Sequence, residues 1–167
     1  SMTINQQELI KQMQENESSL LAYAADFVGH HSACDVVQEA FIELYRCRRL
    51  IKNKRAWLFK VCRNKSIDLI RKENRMHVLD KEQEQRTDVA DDPVAVLGKA
   101  ESAAGLQRAI ATLPLKQQEV LRLKFHENMS YQAIADITGL TVTNVGFILH
   151  TVLKSLRTNP HIEGASA

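Results

Sequence analysis

The side chains best placed to do chemistry in this chain are cations, and they are crowded into one stretch. Between Arg46 and Arg75 stand twelve Lys or Arg residues against two acids, Asp68 and Glu73. Within it, RAWLFKVCRNKSIDLIRKENR (55–75) has two characters at helical spacing. Leu58, Cys62 and Leu69 recur on one face with Phe59, Ile70 and Ser66, while Lys60, Arg63, Asn64 and Arg71 occupy another. One side suits burial and the other an extended polyanion. A second group lies near the other end, where Thr143, Asn144, Phe147, His150, Thr151 and Lys154 share one side of a helix-period segment. They can hydrogen-bond base edges or phosphates, or touch a thymine methyl.

Catalytic chemistry is not written here. The chain lacks G-x-x-x-x-G-K, G-x-S-x-G and H-E-x-x-H, so it reads as a non-enzyme without cofactor or small-molecule substrate. His30, His31, Cys34 and Asp35 bring metal-binding types together, but no second ligand pair at metal spacing accompanies them. The segment is accounted for as a helix junction. Three cysteines in 167 residues are too few and scattered for a disulfide framework and fit a reducing cytoplasm. SMTINQQELIKQMQ lacks the basic start and apolar middle of a secretory signal, and no 18-residue apolar run suggests membrane insertion.

The elements that must position these groups are all helical. Strand alternation and the hairpin dipeptides Asn-Gly and Asp-Gly are missing. A first helix is expected from about Gln6 to Val28, with Leu9, Met13, Leu20, Ala24 and Phe27 inward and an end at Gly29. Ser32 and Asp35 make a capping-box-like start for the next, whose pairs Val36/Val37, Ala40/Phe41 and Leu44/Tyr45 recur every four residues. RRLIKNKR (48–55) breaks the pattern before the basic helix, which runs to about Asn74. The segment 76–100 is polar, holds Pro93 and Gly98, and reverses the charge: seven acids from Asp80 to Glu101 against Lys81, Arg86 and Lys99. It reads as a solvated linker.

Beyond it, Leu106, Ile110 and Leu113 share a face of a helix stopped by Pro114, and LKQQEVLRLKF supplies Val120, Leu121 and Phe125 to the next. Ser130 is a cap for a short helix with Ala133, Ile134 and Ile137. Gly139 allows a left-handed turn, and Thr141 caps a longer helix with Val145, Leu149, Val152 and Leu156 inward. Two helices joined this way match a helix-turn-helix, whose second helix enters the major groove. The domains are thus 1–75, a linker 76–100, a helix-turn-helix domain 101–158 and a disordered tail 159–167.

Two blocks, DVVQEAFIELYR with RAWLFKVCRNKSIDLIRK and then LPLKQQEVLRLKF with MSYQAIADITGLT, resemble the bacterial sigma-70 family in its short extracytoplasmic-function form. The resemblance implies sigma region two in the first domain and region four in the last. It implies core RNA polymerase and promoter DNA as partners, an anti-sigma protein as a candidate regulator, and a monomer when free. The D-x-x-Q-E positions Asp35, Gln38 and Glu39 would dock on the clamp helices of the polymerase largest subunit, with Glu43 and Arg46 on the same polar face. Without the resemblance that face reads as solvated. Arg48, Arg49, Lys52, Lys54 and Arg55 match the loop that reads the minus-10 element and holds a flipped base. Lys60, Arg63, Asn64, Lys65, Asp68 and Arg71 would lie along phosphates and upstream minus-10 bases. Trp57 is either a stacking surface for an unpaired base or core beside Val61, and Phe59 is core. Thr141, Thr143, Asn144, Phe147, His150, Thr151 and Lys154 would read the minus-35 element, with fewer cations than relatives carry.

Energetics argue for a scaffold. Opening about ten base pairs costs roughly 14 kcal/mol at about 1.4 per step, far more than one flipped base returns. A 25-residue coil spans about 27 Å, whereas two duplex turns separate sites by about 70 Å. The competing readings are a ligand-responsive helix-turn-helix repressor that binds operator DNA alone, and an adaptor that docks polymerase without reading DNA.

Overall fold

The computed structural model describes residues 3–79 and 101–158; the linker beyond residue 79 and the tail from 159 lie outside the described residues. Those described are helical, with no strand among them. They divide into two compact units, one built on the long N-terminal helices and one on the short helices of the last third.

In the first unit α1 spans Gln6–Arg46 and α2 spans Lys54–Leu79. Asn5 caps α1, its side chain accepting from the Glu8 amide at 2.8 Å. The helix breaks at Gly29, at φ 79° and ψ 168°, a region closed to side chains with a Cβ. Helix resumes directly after that residue, ahead of the start expected at Ser32. Before the break the buried line is Gln12, Asn16, Leu20, Tyr23 and Ala24, while Met13 is exposed. Polar burial succeeds there because Gln12 donates to Glu8 (2.9 Å) and Asn16 donates to the Gln12 side chain (2.9 Å) and carbonyl (3.0 Å). After the break Val36, Val37, Ala40, Phe41 and Leu44 face inward and Tyr45 is half exposed.

Helix α2 answers with Leu58, Phe59, Cys62 and Ser66, all fully buried. Tyr23 joins the halves: its ring lies 5.0 Å from Phe59 and 5.3 Å from Phe27. Each such large apolar side chain contributes about 1.5–3 kcal/mol on leaving water. Asn53 caps α2, accepting from the Ala56 amide at 3.0 Å. Lys54 and Arg55 therefore belong to the helix, leaving 47–53 as the connection, and α2 continues past Asn74 to Leu79.

The last third of the chain folds as α3 (Glu101–Ala111), α4 (Leu115–Leu121), a π-helical turn (Arg122–His126), α5 (Tyr131–Thr138) and α6 (Val142–Arg157). Ala109, Leu121, Val152 and Leu156 form a core on which Ile110, Leu113 and Ile148 pack. Two expected core residues are displaced. Leu106 is exposed while Ala109 is buried. Phe125 is 55% exposed and Leu123 takes the inward place; both lie in the π turn, which is closed by the Glu127 amide on the Arg122 carbonyl at 3.0 Å. Asn128, at φ 54°, then ends the run.

Candidate nucleic-acid interface

The helix-turn-helix is set by three local devices. Ser130 Oγ accepts from the Ala133 amide (3.1 Å) and starts α5. Gly139 at φ 77° makes the turn, and Thr141 Oγ1 accepts from the Asn144 amide (3.1 Å) and starts α6. The chain bends by 105° between the two helices, inside the range of helix-turn-helix units. Val145, Leu149, Val152 and Leu156 are buried, so Thr143, Asn144, Phe147, His150 and Lys154 stand exposed on the other side, with Thr151 half-buried beside them. Thr141 is exposed as well, with its hydroxyl oxygen engaged in the cap. Helix α6 contains no acid, and its cations, Lys154 and Arg157, are in the last turn.

One cation beside this face comes from outside α6 and was missed in the sequence. Lys124, on the π turn, has its ammonium 5.0 Å above the Tyr131 ring and donates to the Met129 carbonyl at 3.4 Å. Tyr131 in turn lies on α6 at Gly146, where an added Cβ would meet the ring at 3.6 Å. Only the fold brings 124, 131 and 146 together.

In the first unit, Lys60, Asn64, Asp68, Arg71 and Arg75 form an exposed line on α2. Asp68 and Arg71 are 4.0 Å apart and largely in water, a weak pair. Arg48, Arg49 and Lys52 are exposed in the connection. The Arg55 guanidinium sits 5.0 Å over the buried Phe59 ring, and the residue is half-buried. Trp57 is half-buried and Arg63 likewise.

Asp35, Gln38, Glu39, Glu43 and Arg46 are all exposed on the second segment of α1. The two polar faces expected to be separate meet at Lys65. Its ammonium is 2.7 Å from Glu43 and 3.4 Å from Glu39. The Glu43 hydrogen bond, foremost, and then Glu39 hold its pKa above the ordinary lysine value. Lys65 is thereby an interhelical clamp rather than a cation standing ready for phosphate. Asp35, Glu39, Lys65 and Asp68 line one groove of about 420 Å³ between α1 and α2. In the core of the same unit, burial pushes the Cys62 thiol up to about 12, which favours its neutral form.

His30, His31, Cys34 and Asp35 do not converge: among the described residues no group of three His, Cys, Asp or Glu side chains could hold a metal ion. Nor is any single described helix long and apolar enough to cross a membrane.

Comparison with known proteins follows the same division. Residues 13–76 match the model of sigma-70 region 2, and residues 104–156 match that of sigma-70, region 4. The ECF RNA polymerase sigma factor SigW of Bacillus subtilis is 30% identical over 139 residues, 76% of this chain and 74% of SigW. The chain belongs to the sigma-70 family, in its extracytoplasmic-function form. RNA polymerase sigma factor SigV of the same organism is 26% identical over 132 residues, 75% of this chain and 74% of that one. The fold resembles that of the sigma factor RpoE from Bartonella quintana, crystallised in complex with the anti-sigma factor NepR. The TM-score is 0.64 at 21% identity, covering 90% of this chain and 94% of that one. As a member of the family, this sigma factor binds core RNA polymerase and directs it to promoters for transcription initiation. Region 2 is the unit of α1 and α2, and region 4 carries the helix-turn-helix.

Proposed function

We propose that the sigma factor divides its task among three surfaces, by binding alone and without catalysis. Asp35, Gln38, Glu39 and Arg46, with Glu43 tied to Lys65, meet core polymerase. The connection residues Arg48, Arg49 and Lys52, with Lys60, Arg63, Asn64 and Arg71 of α2, hold the opened minus-10 DNA, and half-buried Trp57 offers a ring edge to an unpaired base. Helix α6 enters the major groove of the minus-35 element through Thr143, Asn144, Phe147, His150, Thr151 and Lys154. An anti-sigma protein is its candidate regulator and the cytoplasm its working compartment.

The observation carrying this reading is the segregation on α2: a fully buried Leu58, Phe59, Cys62 and Ser66 on one side, and an exposed Lys60, Asn64 and Arg71 on the other. A helix needs only the first to fold; cations recurring on the second suit a strand of phosphates. The test is transcription with purified core polymerase. Arg63→Glu with Arg71→Glu abolishes open-complex formation while co-purification with polymerase persists. Unchanged open complexes would move the minus-10 contact elsewhere.

A further inference from the structure

Phe147 is a large apolar side chain held where a DNA-reading helix is expected to be polar. It is 68% exposed and lies in the middle of the outward row of α6, one turn after Thr143 and one turn before His150 and Thr151. The inward positions of that helix are already filled by Val145, Leu149, Val152 and Leu156. Its neighbours in the row are hydrogen-bonding groups, the helix contains no acid, and its two cations stand at its C-terminal end. That setting is complementary to a duplex groove rather than to a greasy protein surface. A phenyl ring gains nothing from a phosphate. In the major groove the apolar group displayed by a base edge is the thymine C5-methyl.

We propose that Phe147 is a specificity residue that reads one thymine of the upstream promoter element through its C5-methyl group. The inference rests on the minus-35 reading of α6 and names what that helix recognises. Because the contact is neutral, it selects sequence without adding to the salt-dependent attraction of the backbone.

The experiment uses the full chain with core polymerase. A promoter pool randomised upstream is selected by open-complex formation, and each thymine of the selected element is then replaced singly by deoxyuridine, which deletes only the methyl. For the wild type, one replacement lowers promoter occupancy about fourfold, the worth of one buried methyl group, and the others leave it unchanged. For Phe147→Ala that same replacement has no effect, and Phe147→Leu retains part of it. If no deoxyuridine lowers wild-type occupancy, or if the loss persists in Phe147→Ala, the proposal fails while the minus-35 reading stands. If Phe147→Ala instead weakens binding to polymerase without DNA, the ring docks protein and the proposal is overturned. Selection that enriches no upstream element would overturn the minus-35 reading itself.

Discussion

Two glycines of the helix-turn-helix, replaced by the same residue, should change stability in opposite directions. Gly139 is at φ 77° with nothing within 4 Å of an added Cβ. Alanine there meets no steric neighbour, but its backbone is forced left-handed at about 1–2 kcal/mol, offset by about 0.4–1 kcal/mol from a stiffer unfolded chain. A net loss of about 1 kcal/mol results. Gly146 lies inside α6 with ordinary helical backbone, and an alanine Cβ would meet Tyr131 Cε2 at 3.6 Å, normal van der Waals contact. There alanine gains the helix propensity glycine lacks, about 0.8–1.0 kcal/mol. In thermal melts of the full chain followed by far-ultraviolet circular dichroism, Gly139→Ala should lower the transition of the C-terminal unit and Gly146→Ala should raise it. Each shift should be about 4–8 °C, as expected for so small a unit. Shifts of the same sign would refute the reasoning. So would destabilisation by Gly146→Ala, which would mean that Tyr131 cannot tolerate ordinary contact on that helix.

Three further outcomes follow from the placement of Lys65, Cys62 and Lys124. Lys65→Met keeps the stem but removes the clamp to Glu43 and Glu39 and should cost about 1 kcal/mol, the upper end for a partly wet pair. Because folding raises the Lys65 pKa, the clamp is fully present below the ordinary lysine value and lost as pH climbs through the folded one. Cys62, raised from 9.0 to about 12, likewise withdraws stability above pH 9, so denaturant melts of the wild type should weaken on the alkaline side and those of Lys65→Met should weaken less. Lys124→Gln should reduce holoenzyme binding about equally on all promoters and lower the slope of log affinity against log salt by about 0.9, whereas Lys124→Arg should restore it.

What the sequence made legible was whatever one turn of chain decides by itself. Ser130, Gly139 and Thr141 set the helix-turn-helix through a cap, a left-handed turn and a second cap. The inner stripe of α6 could be read from spacing because no irregularity intervenes. Phe125 could not, since it lies inside a π turn, where ordinary helical spacing does not hold and which no sequence rule announces. Apolar counting chose Met13 over Asn16 because it ignores the possibility that polar side chains satisfy one another inside, as Glu8, Gln12 and Asn16 do. The partners of Lys65 lie more than twenty residues earlier, on another helix, and charge tallies treat them as separate surfaces.

That last correction changes how the electrostatics of the two regions compare. With Lys65 neutralised by glutamates and Arg55 over Phe59, region 2 still offers Arg48, Arg49, Lys52, Lys60 and Arg71 in exposed positions. Five contacts to single-stranded phosphates, at about 0.7 each in slope, lose about a hundredfold in affinity between 50 and 200 mM salt. Helix α6 has two cations, which at about 0.9 each on duplex DNA lose only about tenfold over the same range, or about fortyfold with Lys124 added. On the proposed reading, salt therefore loosens the minus-10 grip faster than the minus-35 one, and a neutral contact such as Phe147 with a thymine methyl is untouched. The discrimination among upstream elements then rests on shape and methyl placement rather than on charge, which is the condition under which a weakly basic recognition helix can still choose its promoter.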